Sequence, residues 1–137
     1  MSFLSDAIGK LRAVGARGSA AHSERDLWRG MRDRAASEDF LARGGTEQAP
    51  MSTTADLRVA LRYAAAARHS LLLKLRTDTF MERGADLKFV SAFPAEDECL
   101  FPPLTYLKPS TKRPHVVTCD DGRVIQVVEA IPHLGGV

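Results

Sequence analysis

From residue 70 to residue 131 the chain is written in short apolar or alternating runs cut by turn residues, which suits strands and leaves little room for long helices. Residues 70–75 form a continuous apolar run, short enough for a buried strand, and residues 77–82 read as a short helical turn. Residues 86–92 alternate, Pro94 interrupts, residues 98–101 resume, and Pro102-Pro103 forces a stop or an edge. Residues 104–107, 115–118 and 123–131 complete the strands, with Asp121-Gly122 as a hairpin turn. Helices come earlier. Phe3, Leu4, Ala7, Ile8, Leu11 and Val14 recur at helical spacing and predict an amphipathic helix over 4–14, ended by Gly15 and Gly18. Residues 26–31 read as a strand anchored by Trp28, 37–43 as a short helix stopped by Gly44-Gly45, and 48–53 as a strand leading into a helix that begins at Ala55. Helices early and strands late argue an α+β fold rather than alternating βαβ units.

A length of 137 residues fits one domain with a core of its own. We divide it into an N-terminal helix and linker, residues 1–24, and a core over 25–137. Hydrophobic residues at 45% and charged residues at 26% are ordinary for a soluble globular protein. A net charge of +2 gives no nucleic-acid or membrane signal, so neither partner is expected. His22, His69, His115, His133, Cys99 and Cys119 show no metal-ligand spacing, and no metal is expected. A Cys99–Cys119 disulfide and two reduced thiols are both open readings. No apolar stretch approaches a membrane span and no secretory h-region is present, which leaves a cytoplasmic location as the expectation. Residues 1–23 fit a transit peptide weakly and a helix followed by a linker equally well.

The chemistry gathers around Glu96 and Glu98, two glutamates one residue apart at the entry to a short apolar run. At that spacing they share one face of a strand. Paired carboxylates on one face can stabilise a developing cation and steer a basic nucleophile, although a solvated strand face carries the same pattern. Two upstream pieces narrow the reading: Leu27-Trp28-Arg29-Gly30 on an early strand, and Ser52-Thr53-Thr54 at a strand-to-helix junction. Singly, Arg29 fits an ion pair, and Ser52 to Thr54 fit a helix N-cap.

Taken in order, these pieces resemble the arginine–serine–glutamate (R-S-E) class of mono-ADP-ribosyltransferases. The run Phe93-Pro94-Ala95-Glu96-Asp97-Glu98-Cys99-Leu100-Phe101-Pro102-Pro103 is the strongest match, and its tandem glutamates resemble those of the arginine-modifying subgroup. Ser52-Thr53-Thr54 departs from the family's Ser-Thr-Ser only by a threonine that keeps the hydroxyl. The resemblance implies a split β-sandwich of two antiparallel sheets with flanking helices, NAD as co-substrate, nicotinamide as leaving group, and an acceptor protein with an exposed arginine.

It also implies roles. Glu98 would stabilise the oxocarbenium-like centre left by nicotinamide and bond the ribose 2′-hydroxyl. Glu96 would orient the acceptor guanidinium as a bidentate fork and help deprotonate it. Arg29 would pair with the dinucleotide phosphates, where a planar fork outperforms Lys. Gly30 would admit the nicotinamide amide close to the backbone. Ser52, with Thr53 beside it, would complete the NAD site and fix the direction of Glu98, and Phe93 would contact the acceptor protein.

The chain is shorter than most members, with residues 4–14 standing where the family carries a larger helical lobe over the adenine side of NAD. Two rivals therefore accompany the transferase reading: an NAD glycohydrolase, in which water takes the acceptor's place, and a non-catalytic module that binds NAD, ADP-ribose or a protein.

Overall fold

The computed structural model describes residues 3–13, 26–76, 91–93, 98–101, 103–110 and 112–133, with Arg12, Ser91–Phe93, Glu98 and Cys99 described at the backbone alone. Their elements are α1 (Phe3–Ala13), β1 (Asp26–Arg32), α2 (Glu38–Arg43), β2 (Gly45–Glu47), β3 (Met51–Thr54), α3 (Leu57–Ala64), β4 (His69–Arg76), β5 (Ser91–Phe93), β6 (Glu98–Phe101), β7 (Thr105–Pro109), β8 (His115–Thr118) and β9 (Val124–His133). The α+β reading holds.

Strand β4 organises the sheet. Leu71, Leu72, Leu73 and Leu75 are all buried, which requires cover on both faces. The strand lies between β1, antiparallel to it, and β9, parallel to it. The full order is β2-β7-β9-β4-β1-β3-β6-β5, with β8 paired to β9. Here the structure departs from two antiparallel sheets: the strands form one hydrogen-bonded path, and its central β4–β9 pair is parallel. The physical reason is that the two strands with the most doubly buried residues pair side by side, and their distance in sequence does not impose the reversed direction of a hairpin. The path is nearly divided at one place, because β1 and β3 share a single register pair, Trp28 with Thr54.

Alternation sorts the buried residues into two cores. On one face, Trp28, Leu72, Ile125 and Val127 pack with Ala7 and Leu11 of α1 and Leu57 and Leu61 of α3. On the other, Leu27, Leu73, Leu75 and Val128 pack with Met51, Phe101 and Leu107, and Phe40 and Leu41 of α2 lie against them.

Local chemistry sets most element ends. Ser37 Oγ accepts from the Phe40 N–H at 3.1 Å and starts α2. Asp56 starts α3 by accepting from the Arg58 N–H at 2.9 Å. The helix therefore begins two residues later than expected, and Ser52 to Thr54 belong to β3 rather than to the cap. Strand β2 is not expected from the sequence, where Gly44-Gly45 reads as a stop; Gly45 instead opens a strand paired with β7. The turn at Asp121-Gly122 is as expected: Gly122 has φ 88°, and the Cys119 N–H donates to the Arg123 carbonyl oxygen at 2.8 Å. The expected linker at 15–24, the helical turn at 77–82 and most of the strand at 86–92 lie outside the described residues.

Helix α1 is tied to the β8–β9 hairpin by charge. Asp6 Oδ2 accepts from the Asp120 N–H at 2.8 Å, and Lys10 Nζ donates to the Thr118 carbonyl oxygen at 2.9 Å and to Asp120 Oδ1 at 2.8 Å. The Asp120 N–H, with Lys10 assisting, holds the Asp6 carboxyl below its ordinary range. Cys119 beside this knot is a buried free thiol, and burial pushes its pKa up. A carboxyl with a lowered folded-state pKa stabilises the fold above its unfolded value, and that stabilisation is lost as pH falls through the folded value. The expected outcome is that Asp6→Asn lowers the urea midpoint at pH 7. The gap from wild type should narrow below about pH 4, near the usual aspartate pKa. A gap of constant size across that range contradicts the assignment.

Candidate active site

Arg29 and Ser52 lie far apart in sequence and meet in the fold. Trp28 points into the helix-side core, so Arg29, the next residue on β1, belongs to the opposite face with Leu27 and Met31. From there Arg29 Nη1 donates to the Ser52 carbonyl oxygen at 3.2 Å. Arg29 Nε is buried and has no hydrogen-bond acceptor among the described residues. A buried guanidinium N–H without a partner is costly, and its cost is relieved by an incoming acceptor, best of all an anionic one.

Strand β3 sets the register of everything beyond. Ser52, Thr53 and Thr54 stand opposite Leu100, Cys99 and Glu98 of β6. Glu98 is thus the direct cross-strand partner of Thr54 and the diagonal neighbour of Ser52, a separation that a long side chain can span. Beyond it, Phe93 of β5 stands opposite Glu98. Ser52 is exposed, whereas Thr53 and Thr54 are buried. The Thr54 hydroxyl accepts from the Asp56 N–H at 3.0 Å, tying the end of β3 to the cap of α3. In the sequence Thr54 only completes the Ser-Thr-Thr triplet and carries no role of its own. Its signal was available in the Ser-Thr-Thr triplet, but only the register shows that the third hydroxyl residue, not the first, faces Glu98.

Of the sequence-derived site residues, Arg29, Gly30, Ser52 and Thr53 sit at the β1–β3 junction. Glu98 and Phe93 are placed by backbone register, and Glu96 lies outside the described residues. Gly30 has a packing reason of its own. A Cβ there would collide with the carbonyl oxygen of Ala60 and come within 3.3 Å of its carbon, so α3 crosses β1 where no side chain stands. Among the described residues no group of His, Cys, Asp and Glu could hold a metal ion, and no helix is long and apolar enough to cross a membrane.

Gly30 and Gly9 make a paired test. Gly30→Ala should cost about 1–3 kcal/mol by forcing α3 off the sheet. Gly9→Ala, in α1 with nothing within 4 Å of the added methyl, should stabilise by up to about 1 kcal/mol. Chemical denaturation of the two variants checks the signs, and a neutral Gly30→Ala would contradict the close helix crossing.

No family model matches the chain, and no curated protein does. Among solved structures, the chain is similar to the ADP-ribosyltransferase HopU1 of Pseudomonas syringae pv. tomato, at 23% identity and a TM-score of 0.43 over 81% of this chain. The chain spans 46% of the length of that protein.

Proposed function

We propose that this chain is an NAD-dependent mono-ADP-ribosyltransferase of the arginine–serine–glutamate class, with arginine side chains of proteins as acceptors. The observation that carries the reading is the junction itself: β1 delivers Arg29 to the Ser52 strand, and the same strand holds Glu98 in register. The three sequence motifs, distant in the chain, thus come to adjacent strands, with Arg29 on the face opposite Thr54 and Glu98 and reaching the junction through the Ser52 carbonyl. The resemblance of those motifs supplies the reaction; the geometry supplies a reason for their order.

NAD fits the donor set present. Arg29 Nε, without an acceptor among the described residues, suits a diphosphate oxygen, while Nη1 stays on the Ser52 carbonyl and fixes the plane of the fork. Nicotinamide departure leaves positive charge on the ribose, and the Glu98 carboxylate would stabilise it by electrostatics held in place beforehand. Ser52 and Thr54, diagonal and direct neighbours of Glu98 on β3, are the hydroxyl residues able to orient that carboxylate. Glu96, two residues before Glu98, would take the acceptor guanidinium in a bidentate contact and draw a proton from it as the new C–N bond forms. Phe93 would contribute to acceptor docking. In this reading the pinched β1–β3 connection corresponds to the division between the two halves of a split sandwich.

The test is nicotinamide release from NAD, with and without agmatine, in wild type and two variants. Wild type should release nicotinamide and form an agmatine adduct. Glu98→Gln should lose both transfer and hydrolysis, by about 10²-fold or more. Glu96→Gln should lose transfer and keep much of the hydrolysis. Release indifferent to agmatine, with no adduct by mass, would make the chain an NAD glycohydrolase. NAD binding without release would make it a binding module.

A further inference from the structure

We propose that Lys74 is a positioning residue of the candidate site, acting through Trp28; the inference rests on the functional reading above. Lys74 stands in an unusual place for a cation. It occupies the centre of β4 between Leu73 and Leu75, and its side chain is 7% exposed. Its ammonium lies 5.9 Å from the centroid of the Trp28 ring, within cation–π range. Lys74 is also the cross-strand partner of Trp28, and Trp28 is the cross-strand partner of Thr54, which faces Glu98. One row of the sheet therefore runs Glu98, Thr54, Trp28, Lys74. The middle step of that row is the only register pair joining β1 to β3.

Lys74 is ion-paired with two carboxylates, Asp26 Oδ2 at 3.7 Å and Glu129 Oε2 at 3.9 Å, both beyond good hydrogen-bond distance. Glu129 is served without it: Arg76 and Lys112 each approach within 3.5 Å, and the Ser110 hydroxyl donates at 2.9 Å. Removing one partner of a buried ion pair leaves the other charge uncompensated, so loss of Lys74 carries a general cost besides any local one. What Lys74 adds is a charge over the indole at the seam. Fixing the ring fixes the backbone of β1 on one side of the junction, and hence the direction from which Arg29 reaches Ser52.

The experiment uses the full chain with Lys74→Met and Lys74→Arg. Its first readout is amide hydrogen exchange, compared between the seam (Trp28, Thr53, Thr54) and the central β4–β9 pairing. Lys74→Met should raise exchange at the seam at least tenfold more than in the β4–β9 pairing, and Lys74→Arg should restore it. Trp28 is the one tryptophan in the chain, so its emission should shift in Lys74→Met and return in Lys74→Arg. Where wild type releases nicotinamide, kcat/KM for NAD should fall in Lys74→Met by on the order of ten- to a hundredfold, with rescue by Lys74→Arg. Equal acceleration of exchange across the whole sheet would make Lys74 a stability residue and overturn the proposal. So would an unchanged seam or failure of the arginine variant to rescue. If wild type shows no turnover, the transferase reading fails by itself and seam exchange alone decides the role of Lys74.

Discussion

The site depends on one narrow connection in the sheet. Strands β1 and β3 meet at a single register pair, Trp28 with Thr54, whereas β1 and β4 pair along seven residues and β3 and β6 along four. One side of the connection carries Arg29; the other carries Ser52 and Glu98. Their relative placement rests on that pair and on the hydrogen bond from Arg29 to the Ser52 carbonyl. Such a seam is a weak place for stability and a useful one for chemistry. At this connection the buried Arg29 Nε has no acceptor among the described residues.

The rest of the fold holds the seam from both faces. On the helix side, the absent side chain at Gly30 lets α3 settle directly on β1, and the N-cap of α3 is tied back to Thr54 through the Asp56 N–H. The same short stretch of β3 and its following turn therefore faces Glu98, pairs with Trp28 and starts the helix that covers Gly30. On the other side, Met51 of β3 and Phe101 of β6 are fully buried with Leu27, and they bring the two halves into one apolar cluster. Hydrophobic burial thus sets the distance between the halves, and hydrogen bonds set their direction.

Much of this was legible in the residues. Trp28 as the anchor of a strand, the doubly apolar run in β4, the short helix ended at Gly44 and the Asp121-Gly122 turn follow from periodicity and local backbone chemistry, and each stands where those rules place it. The parallel pairing of β4 with β9 was not legible, because it joins segments distant in sequence and no local signal encodes direction. Strand β2 was missed because Gly45 carries a stop signal locally and is drawn into a strand only by β7. The start of α3 was misplaced because three hydroxyl residues precede it, and any of them satisfies the local rule for a cap; pairing with β6 commits them to a strand and leaves the cap to Asp56. For the site, the motifs named Arg29, Ser52 and Glu98, but the place of Thr54 opposite Glu98 and that of Lys74 beside Trp28 became visible only through register. The glycine after Arg29 shows the limit of motif reading most clearly: a residue attributed to ligand approach also answers a packing demand from Ala60.

The most direct measurement is a crystal structure of Glu98→Gln with NAD bound. The account predicts a diphosphate oxygen on Arg29 Nε, the Arg29–Ser52 contact retained, and the nicotinamide ribose beside Ser52, Thr54 and residue 98. A dinucleotide bound elsewhere, or Arg29 Nε satisfied by a protein group with the junction closed to ligand, would contradict it.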